Sequence, residues 1–404
     1  MENYEIDKFL EKKDYDIQKS GNARWIDQKC TPDVINVIAD CVFNYYEQNG
    51  NIEFTSRDIW ESEYSGEIIE LYFNKPHLKD PSTNNEYDKF FAQPLELLSY
   101  SNILTKEKKG NRNYYTINNL KLLEYISLTD KNTYTFLVKY IEKVLEDSNI
   151  IEPFNLFFEH QNKSNYNFLK RSFSKFIISN TKINKETEVN RIFIKVINPL
   201  ACFNKKLGTR RGTISDEIIY YSDLLYNSLN FRDIYSDKPK GISRKNWRKQ
   251  QEEKPSIKID LHKSNKAVKF LHKFNEKYRK GYTEVYDKHE GLGTQMHHIF
   301  PKNEFKEISY FYENIISLTP TQHLTYAHPK NNTNLINREY QKFILEEKAT
   351  RIQENITNNN IETIYSFDRL IEVLNEGFNK NYEEKDNNYK NSLSIIKECY
   401  ENIL

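Results

Sequence analysis

The chain has 404 residues, of which 38% are hydrophobic and 29% are charged, and its formal net charge is +1. This composition excludes an intrinsically disordered protein, and the length exceeds one ordinary hydrophobic core, so we expect two or three domains. No stretch approaches the ~18 apolar residues of a membrane span, and the charged N-terminus lacks a signal-peptide segment, so we expect a cytoplasmic protein without a membrane partner.

Two further classes are excluded by motifs that the sequence lacks. The four cysteines are scattered, which fits reduced thiols better than a disulfide framework or a zinc-binding CxxC pair; they are Cys30, Cys41, Cys202 and Cys399. No P-loop (GxxxxGK[ST]) is present, so we expect no nucleoside triphosphate as a partner. No internal repeat is visible in the sequence either.

The first 130 residues combine predicted helices with a basic hairpin. A helix is predicted over 32–48, where apolar residues recur at helical spacing until an Asn-Gly pair. Thr55 and Asp58 predict a capped start for a short second helix, and a third lies near 95–98. Residues 101–117 form two strand-like runs around Lys-Lys-Gly-Asn, which predicts a hairpin.

This order of elements resembles a winged helix, a fold that often places one helix in the major groove of DNA and its hairpin against the backbone. The hairpin carries Lys106, Lys108, Lys109 and Arg112, and we expect DNA contacts from the last three. The alternative is a small helical protein-interaction domain. We take residues 1–130 as a winged-helix-like DNA-recognition domain.

Residues 131–235 are predicted to be mainly helical, with amphipathic helices over 135–146 and 216–229. Between them, Arg210 and Arg211 precede Gly212 in a predicted loop. Arginine pairs on loops suit contacts to phosphate or guanine, although a solvated loop is the simpler alternative.

A basic linker is predicted over 236–262, which is polar and lacks apolar periodicity. Residues 204–280 carry 20 Lys and Arg against 9 Asp and Glu, so positive charge is concentrated here despite the near-neutral total. Concentrated charge is what neutralises phosphates, and Arg244 and Arg248 on either side of Trp247 are candidates for nucleic-acid binding. The alternative is again a solvated linker.

The last region, 263–404, contains a strand, a loop, a second strand and a short helix. Ser264 is predicted to cap a helix whose apolar face extends to Tyr278. Strands are predicted over 295–300 and 314–318, and Thr319-Pro320 then predicts a helix start. Three more helices are predicted near 337–355, 367–378 and 389–404.

Four of the nine histidines lie in this short region: His297, His298, His323 and His328. Imidazole is the commonest metal-binding side chain and the only one that titrates near neutrality without perturbation. Adjacent residues of a strand point to opposite faces, so His297 and His298 cannot have the same role. The pattern predicts a one-metal hydrolase in which one histidine holds the ion and its neighbour takes a proton from water.

The segment MHHIFPKNEF, followed by NIISLTP and two histidines, resembles the HNH or ββα-metal nuclease motif, most of all that of bacterial restriction-type endonucleases. The resemblance covers about 290–335. It implies that His297 and His323 are metal ligands, that His298 is the general base and that Asn314 orients the loop. It also implies a divalent ion, with Mg²⁺ expected because it is abundant and Mn²⁺, Ni²⁺ or Zn²⁺ as alternatives.

One position departs from the family pattern, in which the last ligand often follows the first helical histidine by four residues. Here that position is Ala327, and His328 comes one residue later. Five residues turn an α-helix by about 140°, so His328 would face away, unless the backbone bends ahead of Pro329. Whether His328 is a ligand stays open, with Asn331 or Asn332 as substitutes, and we expect its loss to weaken metal binding less than the loss of His323.

Taken together, the sequence predicts an α+β, mostly helical protein: a winged-helix-like region, a helical middle region and a ββα-metal nuclease domain with flanking helices. The predicted function is a metal-dependent endonuclease for double-stranded DNA, sequence-specific and type II-like, in bacterial defence. A modification-dependent or non-specific nuclease is the alternative enzyme, and a DNA-binding protein with an inactive nuclease domain is the non-enzymatic one. Whether the chain acts as a homodimer is left open.

Overall fold

Helices make up most of the protein, and its strands form small antiparallel sheets. The structure is a computed structural model and describes residues 3–73, 75, 84–226, 256–328, 336–382 and 388–401. The predicted class, α+β and mostly helical, is confirmed. Contacts between residues divide the chain into an N-terminal unit (2–253) and a C-terminal unit (254–404). Among the described helices, none has the length and apolar character needed to cross a membrane.

In its described residues the N-terminal unit contains a run of helices interrupted by two hairpins. In chain order its elements are α1 Asn3–Leu10, α2 Ile17–Ser20, α3 Pro32–Asn49, β1 Phe54–Thr55, α4 Ser56–Trp60, α5 Glu63–Phe73, α6 Asn84–Tyr100, β2 Leu104–Lys109, β3 Arg112–Ile117, α7 Leu120–Leu128, α8 Asp130–Asp147, α9 Glu152–Glu159, α10 Lys163–Asn180, α11 Glu186–Phe203, β4 Leu207–Arg210 and β5 Thr213–Ile218.

Helix α3 is the centre of this unit and confirms the helix predicted over 32–48. Pro32 occupies its first turn, where a missing N–H costs nothing, and Gly50 ends it with φ +74°. Its first eleven residues are all buried, against α7 and α8 among others. The predicted cap of the next helix is also confirmed, because Thr55 and Asp58 form a reciprocal capping box.

The first hairpin is confirmed as well. Strands β2 and β3 are antiparallel and joined by a two-residue turn at Gly110, and the short β1 adds a third strand in the order β1-β3-β2.

The helix predicted near 95–98 is much longer in the structure, because α6 begins at Asn84 and continues through Pro94. Helix α8 starts at the predicted boundary near residue 130 and packs against α3 and α7, so residues on both sides of that boundary share a core.

The region around residues 207–226 differs from the prediction. The prediction of an amphipathic helix over 216–229 is wrong for residues 216–226, which the structure describes. Strand β5 extends to Ile218, and a single 3-10 turn follows at Tyr221–Asp223. The predicted loop at Arg210 is the tip of a hairpin. Arg211 and Gly212 both have positive φ, +52° and +81°, which is the geometry of a tight turn between antiparallel strands.

The C-terminal unit surrounds one two-stranded sheet with helices. Its elements are α12 Ser256–Arg279, β6 Gln295–His298, β7 Ile315–Leu318, a π-helix Gln322–Ala327, α13 Arg338–Thr357, α14 Phe367–Phe378 and α15 Tyr389–Glu401, with 3-10 turns at Lys306–Ile308 and Tyr312–Asn314. The three C-terminal helices are close to their predicted positions.

The structure corrects the C-terminal end of the predicted linker and the predicted helix cap that follows it. Residues 256–262 already belong to α12, so the linker cannot extend to 262, and Ser264 lies inside this helix and does not cap it. Arg244 and Arg248 lie outside the described residues, and Asn331 and Asn332 do too.

A buried ion pair supports the back of the sheet in this unit. Lys348 on α13 lies 3.2 Å from Glu284, and both side chains are at most 5% exposed. Glu284 also accepts a hydrogen bond from the backbone N–H of Ser317 on β7. The strand is therefore tied to α13 by a charged group that would be costly to leave unpaired.

Candidate metal centre

The two histidines of β6 point in opposite directions, as predicted from strand alternation. Strands β6 and β7 are antiparallel, with His297 opposite Ile316 and His298 opposite Ile315. On the His298 side, α12 contributes Ser264, whose hydroxyl lies 3.0 Å from His298 Nε2. On the other side, His297 faces His323 in the π-helix and His328, which directly follows it.

The start of this short helix is a capping box. Thr319 Oγ1 accepts from the backbone N–H of Gln322, and Gln322 Oε1 accepts from the backbone N–H of Thr319. The predicted cap at Thr319 is thereby confirmed. Gln322 is fully buried, and its amide nitrogen also donates to the Val285 carbonyl and to Asp287. The helix is therefore fixed in position one residue before His323.

The π-helix resolves the unusual spacing of His323 and His328. The backbone N–H of His328 donates to the carbonyl oxygen of His323 at 3.1 Å, five residues back in the chain. A π-helix makes this i to i+5 bond, so residues five apart are stacked on one face. The sequence left open whether His328 faces away, as it would on an ideal α-helix; in this π-helical backbone it does not.

His297, His323 and His328 form a three-histidine cluster. One ring nitrogen of each lies within 4.8 Å of the other two, and the ring centroids are 4.9–5.1 Å apart. His297 and His328 are buried, 8% and 7% exposed, while His323 is half-buried. Among the described residues, no carboxylate or thiol joins the cluster.

Burial favours the neutral form of His297 and His323. Burial holds the pKa of His297 well below its ordinary 6.5, and the neighbouring His323 and His328 lower it further. Burial and His328 likewise lower the pKa of His323. Neutral imidazoles are the form that binds metal ions.

These residues fit a cation. Three imidazoles converge, and His323 Nδ1 is buried without a hydrogen-bond partner among the described residues. Such an unpartnered buried nitrogen is costly unless something else binds there. An all-imidazole set suits Zn²⁺, Ni²⁺ and similar ions, whereas Mg²⁺ prefers oxygen ligands.

His298 stands apart from the cluster and is held by the protein. Its Nε2 lies 2.9 Å from the backbone carbonyl oxygen of Ser309, which can only accept a hydrogen bond. Nε2 therefore carries the proton, and Nδ1 carries the lone pair. Burial lowers the pKa of His298 to about 4, so the ring is neutral at physiological pH.

Asn314 holds the loop that supplies this carbonyl. It is fully buried, accepts from the backbone N–H of Phe300, and donates to the carbonyl oxygens of Phe300 and Ile308. Ser309 is the next residue after Ile308. Asn314 thus fixes the strand end and the loop between β6 and β7.

The candidate nucleic-acid-binding residues are distributed over two hairpin tips of the N-terminal unit. Lys108, Lys109 and Arg112 lie on the first tip and are exposed; Arg210 and Arg211 lie on the second. Lys109 pairs with Glu53 at 2.7 Å, and Arg210 pairs with Asp223 at 2.7 Å. These two cations are thus partly neutralised within the chain.

Two features of the site were missed in the sequence. The contact of Ser264 with His298 joins residues 34 positions apart, and no local pattern marks it. The π-helix could have been inferred, because one residue more than the usual four between two ligand histidines is what a π-turn accommodates.

Comparison of the chain with protein-family models, with curated protein sequences and with solved structures found no match.

Proposed function

We propose that the chain is a metal-dependent endonuclease that hydrolyses phosphodiester bonds of double-stranded DNA. One observation carries the proposal: three histidines converge on one face of β6, while a fourth, His298, lies on the other side with its Nε2 hydrogen-bonded to a protein carbonyl. This separates groups that can hold a cation from a group that can accept a proton.

The chemistry follows from this division. A divalent ion held by His297, His323 and His328 would act as a Lewis acid at the scissile phosphate. His298 is neutral and presents Nδ1, so it takes the proton of the attacking water as general base. Because Nε2 donates to the Ser309 carbonyl, the imidazolium formed in that step keeps a hydrogen-bond acceptor. Asn314 maintains the loop geometry on which this contact depends.

The three-histidine ligand set leads us to propose an ion other than Mg²⁺, which the sequence analysis favours for its abundance. Three imidazoles without a carboxylate are a poor site for a hard cation that keeps its waters. Mn²⁺, Ni²⁺ and Zn²⁺ accept nitrogen ligands more readily, and we expect them to support cleavage at lower concentrations than Mg²⁺.

The N-terminal unit supports DNA as the substrate. Helix α3, strand β1, helices α4 to α6 and the β2-β3 hairpin occur in the order of a winged helix, and the strand order β1-β3-β2 fits that fold. On the first hairpin tip, Lys108 and Arg112 are exposed and make no ion pair in the described part of the chain. We propose that this module recognises DNA sequence and that the enzyme is a type II-like restriction endonuclease.

The test is digestion of supercoiled plasmid by the full chain with Mn²⁺, with and without a chelator, followed by mapping of the ends. We expect cleavage that the chelator stops and ends that share a sequence. The control is His272→Ala, which removes a histidine exposed on α12 outside the site. Cleavage by His298→Ala at the wild-type rate would overturn the mechanism, and ends scattered at random would overturn sequence specificity.

A further inference from the structure

The helix-and-hairpin arrangement occurs twice among the described residues of the N-terminal unit. Helix α6 leads into β2 and β3, and α11 leads into β4 and β5, and each helix packs against the strand that follows it. Both helices contain an internal proline, Pro94 in the first and Pro199 in the second. The repeat was not visible in the sequence.

The two connections match in backbone detail. After each helix comes a non-glycine residue with positive φ, Asn102 at +67° and Lys205 at +54°. The next residue then donates back five positions into the helix, Ile103 to Leu98 in one copy and Lys206 to Ala201 in the other. This is the 6→1 bond of a Schellman helix end.

The hairpins are also closed at equivalent positions. The backbone N–H of Asn118 donates to the Ile103 carbonyl, and that of Ile219 donates to the Lys206 carbonyl. Each hairpin ends in a two-residue turn with basic residues at its tip. The unit therefore contains a second module, in which α9, α10 and α11 pack in series and β4 and β5 form the hairpin.

Charge is distributed alike on the two tips. Lys109 and Arg210, the last residues of their first strands, pair with carboxylates of their own unit. Arg112 and Arg211, which follow in the chain, are exposed and form no ion pair among the described residues. The second tip thus presents an uncompensated cation, as the first does.

Helix α10 carries further positive charge next to the second tip. Its 18 residues include four cations and no acidic residue; the cations are Lys163, Lys170, Arg171 and Lys175. Lys170 donates to the carbonyl oxygen of Gly212 at 2.9 Å, which places the helix against the hairpin turn. The neighbouring Arg171 is exposed, as is Lys175 one helical turn later, and neither makes an ion pair in the part of the chain that the structure describes.

An exposed aromatic residue lies on the same face of α10 as Arg171 and Lys175. Phe168 precedes Arg171 by three residues and Lys175 by seven, a spacing that places all three on one side of an α-helix. Its side chain is 51% exposed, which is unusual for phenylalanine. A face with cations, an aromatic ring and no carboxylate has the composition of a nucleic-acid-binding surface.

We propose that the exposed face of α10 and the Arg211 turn form a second DNA-binding surface, which holds the phosphate backbone of duplex DNA while the first module reads the sequence. The proposal rests on the proposed function, because it takes DNA as the substrate. Arg171, Lys175 and Arg211 bind phosphate oxygens, and Phe168 packs against the sugars. Arg210, neutralised by Asp223, contributes little.

The experiment is a salt series of fluorescence anisotropy with the full chain and a labelled DNA duplex, with a chelator present so that the DNA is not cut. Arg171→Glu/Lys175→Glu is compared with Lys390→Glu/Lys397→Glu, which makes the same charge change on exposed positions of α15. Each lost phosphate contact lowers the slope of log affinity against log salt by about 0.9, so we expect the first variant to lose about two units of slope and at least about tenfold in affinity. The control keeps wild-type affinity.

Two adjacent arginines give a second comparison. Arg211→Gln should lower the salt slope by about one unit, whereas Arg210→Gln should leave it unchanged, because only Arg211 lacks an intramolecular carboxylate. If the double glutamate variant misfolds by circular dichroism, Arg171→Gln/Lys175→Gln replaces it with the same expected slope.

The outcomes separate the two hypotheses. Wild-type chain that does not bind DNA overturns the proposed function. Wild-type chain that binds DNA while the α10 variant binds as tightly as the control overturns the second surface and leaves the nuclease proposal standing. Stronger competition by single-stranded RNA than by duplex DNA would also overturn the second surface as a DNA-binding one.

Discussion

The backbone N–H of His328 donates to the carbonyl oxygen of His323 across five residues, and this bond decides the composition of the metal centre. It converts a spacing that would separate the two rings on an α-helix into one that stacks them beside His297. We therefore expect His323→Ala and His328→Ala to weaken metal binding to a similar extent, each by at least about 100-fold. Calorimetric titration of Mn²⁺ or Zn²⁺ measures this, and a much smaller loss for His328→Ala would contradict the three-histidine site.

The π-helix predicts how metal binding responds to a change in the number of residues between His323 and His328. Deleting Leu324, which is 39% exposed, leaves a four-residue spacing that an ordinary α-helix accommodates on one face. Metal affinity should stay within about tenfold of wild type, because residues i and i+4 are neighbours in an α-helix. Inserting an alanine after Leu324 is the matched control and should abolish binding. Loss of binding in the deletion variant would show that the π-turn itself is needed.

His298→Ala should lower cleavage by about 10²–10⁴-fold, since a positioned general base contributes on that order. Metal and DNA binding should be unchanged, because His298 is not one of the three clustered histidines and a general base contributes to the transition state and not to ground-state binding. Single-turnover cleavage at saturating enzyme measures the chemical step. Equal losses in DNA affinity and in rate would indicate a binding role for this histidine.

Ser264→Ala tests whether α12 positions the general base. Ser264 is 1% exposed and its hydroxyl lies 3.0 Å from His298 Nε2, next to the Ser309 carbonyl. Loss of such a supporting contact typically costs 10–100-fold, so we expect kcat to fall by about tenfold with KM unchanged. Ser392→Ala, at a fully buried serine of α15, is the control for the loss of a buried hydroxyl group. A KM effect, or an equal loss in the control, would point to general destabilisation.

The pH dependence of metal binding follows from the lowered pKa values. The pKa of His297 and of His323 is below the ordinary 6.5, so protons compete with the ion only at more acidic pH. We expect the affinity at about pH 6 to remain within a few-fold of that at about pH 7.5, and to fall at lower pH as these rings become protonated. Unperturbed histidines would instead lose affinity steeply between those two values.

Asn314→Ala should destabilise the C-terminal unit by about 3 kcal/mol, since three backbone groups lose a buried hydrogen bond. Urea denaturation of the full chain, followed by a probe in this unit, measures the change. Asn391→Ala, which removes a partly buried asparagine of α15, should cost much less.

Local sequence determined several parts of this protein without tertiary information. Strand alternation alone separated His297 from His298, because consecutive side chains of a strand must point to opposite faces. The capping box at Thr55 and the cap at Thr319 were readable because each involves residues only three apart. Pro32 and Gly50 likewise set the ends of α3 through their own backbone preferences.

Tertiary structure decided what depends on distant partners. The strand β5 was mistaken for a helix because its apolar spacing suits both, and pairing with β4 selected the extended form. The π-helix is held by buried contacts of Gln322 with residues more than 30 positions earlier, so α-helical geometry was the wrong assumption for His328. The contact of Ser264 with His298 and the fit of Lys170 against the Gly212 turn have the same origin: the chain brings these groups together only when its helices pack, and no local pattern records which faces will meet.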